Sequence, residues 1–464
     1  MKYISTRGEA QAVSFLDAVL AGLAPDGGLY VPQEWPTFTQ EEIAGFAGRP
    51  YAEIAAQVIS KFAGDAIPAV DIAAMCEEAY ASFTHPATTP LKELYPGLWL
   101  MELFHGPTLA FKDVAMQILA RLYDYVLARQ NRHMTIVCAT SGDTGGAAVE
   151  AFRASNYVRI VALFPEGRIS EVQRRFMTTT GEANVLSISV DGTFDDCQTL
   201  LKAMFQDTAF AREIDLSGVN SINWARIAAQ SVYYFTAAAA LGAPGRPVSF
   251  CVPTGNFGDA YAGYVAKKLG LPIARIIVAT NGNDILSRAM KTGRYEKGAV
   301  LASISPAMDI QIASNFERLY FETVERESTE TARAFKAFAG AGRIDIPPAA
   351  YAEMKALFTG VSVSEDDTAR SILSTYNETG ELIDPHTAVA MHAARRIGAR
   401  PPEPLITLST AHPAKFPEAV LAAAGVTPTL PRAVGDHSKR TEVYETMPAD
   451  LAKLKARVRE FARR

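Results

Sequence analysis

The apolar positions of this chain change period along its length. Up to about residue 85 they recur at helical spacing, broken at Pro25-Asp26-Gly27-Gly28 and Gly48-Arg49-Pro50. That predicts a mostly helical N-terminal region. His85-Pro86-Ala87-Thr88-Thr89-Pro90 reads as a linker. Beyond it, short apolar runs alternate with amphipathic stretches. Strands are predicted over Leu98–Leu103, Met134–Ala139, Arg159–Phe164, Asn184–Val190, Pro247–Val252, Arg275–Ala279 and Leu405–Leu408. Helices are predicted over Phe111–Val126, from Thr144, and over Ser170–Thr178, Thr193–Gln206, Ala225–Leu241 and Asp259–Leu269. The stretch from about 285 to 400 reads as mostly helical. Such alternation predicts an α/β fold with mainly parallel sheets, whose ligands bind in the turns at the carboxyl ends of the strands.

With 464 residues, the chain exceeds one ordinary core. Its expected division is a helical region over 1–90, a first α/β domain over 91–245, and a second over 246–464 with a helical insertion at about 285–400. The uncharged run Ile227–Ala243 falls short of the roughly 20 apolar residues a membrane span needs, and reads as a buried core helix. A net charge of −5 gives no electrostatic reason to expect nucleic acid or an anionic membrane as partner. Only Lys453–Arg464 is basic, which a solvated helix face explains. Cys76, Cys138, Cys197 and Cys251 form no C-x-x-C pair. With no apolar leader after Met1, they predict buried thiols in a reducing, cytoplasmic setting.

Three turns sit where a strand pattern gives way to a helix pattern. Thr254-Gly255-Asn256-Phe257-Gly258-Asp259 offers glycines able to take positive φ, and a helix N-terminus suited to a phosphate. The bland alternative is an ordinary glycine turn. Ser141-Gly142-Asp143-Thr144-Gly145 would suit a substrate carboxylate, or its side chains cap the following helix. Ser409-Thr410-Ala411-His412-Pro413 offers a hydroxyl for a cofactor ring nitrogen, or a cap before Pro413. Lys112, in Pro107-Thr108-Leu109-Ala110-Phe111-Lys112-Asp113, has apolar neighbours that would lower its pKa as a Schiff-base amine requires. Alone it reads as a surface lysine. The seven histidines show no metal-ligand spacing, so no metal site is expected. The chain has no P-loop, no dinucleotide fingerprint and no serine-hydrolase elbow.

Taken in order, six segments resemble the threonine synthases, pyridoxal phosphate (PLP) enzymes of fold type II, the tryptophan synthase β-like fold. They are Tyr3–Gly8, Ala24–Pro32, Phe104–Asp113, Asn220–Arg226, the turn at 253–259, and Thr410–Phe416. The pattern matches the longer, bacterial and fungal branch. The resemblance implies a PLP Schiff base on Lys112, a phosphate cradle at Gly255, Asn256, Phe257, Gly258 and Asp259, and Thr410 at the pyridine nitrogen. It also implies Ser141, Gly142, Asp143 and Thr144 at the substrate carboxylate, and Asn220 and Arg226 at the substrate's own phosphate. The implied reaction turns O-phospho-L-homoserine and water into L-threonine and phosphate, in a monomer or homodimer. Alternatives are a phospho-lyase relative that stops at a keto acid, a serine or threonine dehydratase, and a PLP-free binding protein. Asn220 and Arg226 separate the first reading from a dehydratase, which has no substrate phosphate to hold.

Overall fold

A computed structural model describes residues 1–432, 435 and 439–463. The chain divides into two compact units. The first comprises 1–78, 85–105 and 221–428; the second comprises 79–84, 106–220 and 429–464.

The first unit is built on a six-stranded sheet. Its spatial order is Phe358–Ser362, Ile273–Thr280, Val248–Pro253, Leu405–Ser409, Leu98–Glu102 and Leu91–Tyr95. All neighbours are parallel except the edge hairpin 91–95/98–102. Every residue of Val248–Pro253 and of Leu405–Ser409 is buried. These strands read as continuous apolar runs because helices cover both faces of a parallel sheet. Helix Trp224–Ala240 is buried nearly all round. Helix Pro385–Ile397 packs Ala388, Val389 and Met391 into the core with Leu405 and Ile277.

The second unit holds a five-stranded, wholly parallel sheet. Its order is Glu445–Pro448, Val185–Asp191, Val158–Pro165, Met134–Ala139 and Leu216–Ser217. Helices Glu171–Thr178 and Phe194–Gln206 start at capping boxes, Ser170 with Gln173 and Thr193 with Asp196. The basic C-terminal stretch forms helix Leu451–Ala462, whose Leu454, Val458 and Phe461 join the core while its arginines pair at the surface; Arg464 lies outside the described residues.

The predicted α/β architecture with parallel-rich sheets is present, and most predicted elements lie within two residues of their expected ends. The N-terminal region carries its helices Phe15–Ala21, Tyr51–Ala63 and Ala69–Tyr80. It also carries a small antiparallel sheet, Val13–Ser14, Lys2–Ser5 and Tyr30–Pro32, too short to show a period of two. Within the stretch read as helical, Phe358–Ser362 is an edge strand of the main sheet. Gly360 hid it, because glycine punctuates a strand pattern. The glycine is there for close approach: an added Cβ would lie 2.7 Å from both Ser287 Cα and Ser287 O of helix Ile285–Thr292. Backbone cannot yield as a side chain can. Gly360→Ala should therefore destabilise the protein by about 1–3 kcal/mol, seen as a lower urea midpoint; an unchanged midpoint would contradict this packing.

Candidate active site

Lys112 opens helix Lys112–Gln130 of the second unit and is 8% exposed. The chain reaches it through a constrained loop. Leu109 takes φ 61°, a region that a branched side chain enters only when its surroundings hold it there. Asp113 supplies that hold: its carboxylate accepts the Thr108 N–H at 2.8 Å and the Thr108 hydroxyl at 2.6 Å. Gly106 leaves room for it, since a Cβ there would sit 2.5 Å from Asp113 Cβ. Lys112 Nζ donates to Asp143 Oδ2 at 3.3 Å and lies 4.7 Å above the Phe111 ring. The amine is thus buried, held at one carboxylate, and mounted on a rigid helix start.

Asp143 begins helix Asp143–Phe152, directly beyond strand Met134–Ala139. Its Oδ1 accepts from Gln173 Nε2 at 3.0 Å. Of the sequence's two readings for this turn, capping by Ser141, Asp143 or Thr144 is replaced by another residue. Thr140 Oγ1 accepts the N–H groups of Gly142 and Gly145, each at 2.9 Å. Ser141 and Thr144 are half-buried. Gly142 takes φ 126°, and a Cβ on it would lie 2.4 Å from the Gln173 amide carbon. Asn220 is exposed at the end of the 106–220 segment.

In the first unit, the turn 254–257 joins strand Val248–Pro253 to helix Gly258–Lys268. Here the expected glycine geometry is corrected. Neither Gly255 nor Gly258 is among the glycines with positive φ; Phe257 takes the left-handed conformation instead, at φ 66°. Its ring is fully buried between Phe316 and Phe358, and that packing holds the backbone in place. The glycines serve close approach. A Cβ on Gly255 would sit 2.8 Å from Ala307 O, and one on Gly258 would sit 3.2 Å from Asn256 Oδ1. Asn256 Oδ1 accepts the Gly258 N–H at 3.0 Å, and Asn256 O accepts the Asn315 N–H at 3.1 Å. The Asp259 carboxylate is turned into the core, where the Tyr233 and Tyr234 hydroxyls donate to it at 2.5 and 3.0 Å. Burial first, and then Asp259, raise both tyrosines well above their ordinary pKa, so both stay protonated donors.

Thr410 follows the neighbouring parallel strand. The register Cys251↔Thr407 sets Thr410 one strand over from Thr254, on the same carboxyl edge. The Thr410 N–H donates to Thr387 Oγ1 at 3.2 Å, and the residue is buried. Arg226 lies in the first turn of helix Trp224–Ala240, 3% exposed. Burial pushes its guanidinium down to about 10, so it remains charged near neutrality.

Each unit carries residues that fit one part of PLP. A buried amine is ready for an aldehyde, and a backbone cradle closed to a Cβ at Gly255 opens a helix N-terminus that favours a phosphate. Known proteins agree along the whole chain. The family described as "Threonine synthase N terminus" matches residues 2–80, "Pyridoxal-phosphate dependent enzyme" matches 83–359, and "Threonine synthase, C-terminal" matches 387–458. Threonine synthase of Pseudomonas aeruginosa is 49% identical over 100% of this chain and 99% of its own. The chain belongs to the threonine synthase family. A crystal structure of PLP-bound threonine synthase from Brucella melitensis is 51% identical, covers 100% of both chains and superposes with a TM-score of 0.98. The yeast threonine synthase structure is 36% identical, covers 99% and 98%, and gives 0.94. The chain is therefore a PLP-dependent threonine synthase enzyme of fold type II acting on a small molecule. No helix among the described residues is long and apolar enough to cross a membrane.

Family membership leaves some members of the site unannounced. Gln173 lies outside the sequence motifs, and Thr140 and Asp113 lie beside or within them with no role of their own expected. Gln173 had a signal in the S-x-x-Q spacing from Ser170, which puts it in the first turn of its helix. His412, beside Thr410, is another. Its Nδ1 accepts the Ala414 N–H at 3.1 Å, so that nitrogen carries no proton. Burial and then the nearby His105 push His412 down to about 4. The unfolded chain takes up a proton from about pH 6.5 that the folded chain refuses until about 4. Stability held above that window is lost as pH falls through it. A pH titration by NMR should find His412 neutral, protonated on Nε2, at pH 5.5; an imidazole titrating near 6.5 would contradict the site.

Proposed function

We propose that this threonine synthase converts O-phospho-L-homoserine and water into L-threonine and inorganic phosphate, with Lys112 as its catalytic base. The observation that carries the substrate is Arg226. Its guanidinium is buried in the first turn of a helix, whose N-terminus also favours an anion, and the fork geometry of arginine suits a dianionic phosphate. Asn220 adds a neutral donor to the same phosphate. A dehydratase has no substrate phosphate for Arg226 to hold; a keto-acid-forming relative has one, and there it is the whole-chain likeness to threonine synthases that favours threonine as the product.

Bound PLP supplies an aldehyde for an amine and a conjugated ring that accepts an electron pair from Cα. Lys112 Nζ removes the Cα proton of the substrate, and its mounting beside Asp143 fixes the direction of approach. Ser141, Gly142 and Thr144 direct polar groups at the substrate carboxylate, while Asp143 orients the lysine. Loss of a second proton, from Cβ, lets the phosphate leave Cγ with the C–O bonding pair, and Arg226 and Asn220 hold it as it departs. Protonation at Cγ, addition of water at Cβ and return of a proton to Cα complete threonine. Gly255, Asn256, Phe257 and Gly258 hold the cofactor phosphate through main-chain N–H groups. Asp259 joins them through its own N–H, because its carboxylate belongs to the two tyrosines. Thr410 offers the ring nitrogen a hydroxyl rather than a carboxylate, which leaves that nitrogen unprotonated. The cysteines are free and buried, and burial pushes Cys138 up to about 12. Inert, reduced thiols support a cytoplasmic location.

Two measurements test these roles. Borohydride reduction of the PLP-loaded enzyme should attach the cofactor to the peptide containing Lys112, and label on another lysine rejects the assignment. Arg226→Ala should lower kcat/KM for O-phospho-L-homoserine roughly tenfold to a hundredfold, the worth of one charge-assisted hydrogen bond. It should also blunt competitive inhibition by inorganic phosphate. Wild-type values of both would show that Arg226 does not hold the phosphate.

A further inference from the structure

Behind the assigned cofactor contacts of the first unit lies a buried polar chain that no motif in the sequence announced. It starts at Asp384, the N-cap of helix Pro385–Ile397, which is 0% exposed. Asp384 Oδ1 faces His386 Nδ1 at 2.8 Å, and Oδ2 accepts from the Thr387 hydroxyl. The two branches then part. On one, His386 Nε2 accepts the Ala307 N–H at 3.2 Å. Ala307 belongs to the turn Pro306–Met308, whose carbonyl backs Gly255 so closely that a Cβ there would lie 2.8 Å away. On the other, Thr387 Oγ1 lies 3.1 Å from Ser409 Oγ and accepts the Thr410 N–H at 3.2 Å.

We propose that Asp384, His386 and Thr387 are positioning residues that tie the phosphate cradle and the ring-nitrogen contact to one fixed helix start. This inference rests on the roles assigned above to residues 255–258 and Thr410. The hydrogen bonds fix the chemistry of the branch point. An amide N–H can only donate, so His386 Nε2 carries a lone pair. The single imidazole proton is then on Nδ1 and is donated to Asp384. The carboxylate orients the ring in the tautomer that receives Ala307, as a carboxylate does for a histidine with a chemical task. His386 is 4% exposed and packs 4.8 Å from the Phe416 ring, so the imidazole has no second orientation open to solvent. Thr387 does the corresponding work toward Thr410. Its hydroxyl gives its proton to Asp384, leaving its lone pairs to the Thr410 N–H and Ser409. A cofactor spanning a phosphate site and a ring-nitrogen site needs both ends held in one frame. One aspartate serves both ends here.

The branches make separate predictions for the holoenzyme. His386→Leu removes the acceptor for Ala307 and frees the turn behind Gly255. It should speed PLP loss about three- to tenfold, the worth of one neutral hydrogen bond, and move the 31P resonance of bound PLP. The visible absorbance maximum should stay in place. His386→Gln, whose amide oxygen reaches the Nε2 position, should restore PLP retention and the 31P resonance. Thr387→Val keeps the shape and removes the acceptor for Thr410. It should move the absorbance maximum and lower kcat more than it raises KM, with the 31P resonance unchanged. A residue that merely stabilised the fold would not split the two signals in this way.

Wild-type PLP retention and 31P resonance in His386→Leu, or a wild-type spectrum in Thr387→Val, overturns the inference. Should His386→Leu fail to fold, His386→Asn, whose amide stops at the Nδ1 position and cannot accept from Ala307, takes its place by the same readings. Gly258→Val and Thr410→Val separate this inference from the reading beneath it. If those two variants disturb retention and spectrum while the His386 and Thr387 variants do not, the cofactor contacts stand and the positioning role alone falls. If none of the four disturbs them, both fall together.

Discussion

Parallel strands buried on both faces cannot carry polar chemistry along their length. Val248–Pro253 and Leu405–Ser409 are buried at every position and pair side by side in the same direction. The chemistry is therefore pushed to where the ladder ends. At the carboxyl edge the backbone turns, helix N-termini begin, and small polar residues replace apolar ones. Thr254–Phe257 and Thr410 occupy adjacent stations on that edge. In the second unit, Thr140–Asp143 follows strand Met134–Ala139 in the same sense. The site positions are a consequence of strand direction, and the side chains then decide what each station holds.

Keeping charges inside such a structure needs local compensation, and the protein uses a different device for each. Lys112 is matched by Asp143, itself held by Gln173. Asp259 receives two tyrosine hydroxyls, which lets a carboxylate sit in the first turn of the cradle helix without presenting its charge to a phosphate. Asp113 is spent on the loop that delivers the lysine. Arg226 puts a buried cation in the first turn of a helix, where guanidinium and helix N-terminus together suit an anion.

Periodicity carried most of the fold into view. Strong runs such as Met134–Ala139 and Ile273–Thr280, and capping boxes such as Thr193 with Asp196, mark elements whose local preference and tertiary role agree. The elements that stayed hidden are those where the two diverge. Strand Phe358–Ser362 contains a glycine demanded by a neighbouring helix, and Glu445–Pro448 is a polar edge strand with an exposed alternate face. At the site, the residues proposed to meet the cofactor and substrate stand out in the sequence because they cluster in short ordered motifs. Those that support them, Gln173 and Asp384, act from distant parts of the chain, and one sequence gives such pairs no common signature.

The glycine turn shows why residue type and backbone conformation must be argued separately. Two glycines in Thr254–Asp259 invited positive φ, yet the left-handed residue is Phe257. Leaving a branched ring at such a backbone costs on the order of 1 kcal/mol. Burying that ring against Phe316 and Phe358 returns more than that, since a fully buried phenyl contributes roughly 1.5–3 kcal/mol. The core thus drives the turn into shape through Phe257, while Gly255 and Gly258 keep its inner surface clear. A glycine at 257 would adopt the same φ without strain but would lose the anchor, and the cradle would become one conformation among several. Placing the aromatic residue at the strained position lets the hydrophobic core fix the backbone of the proposed phosphate cradle.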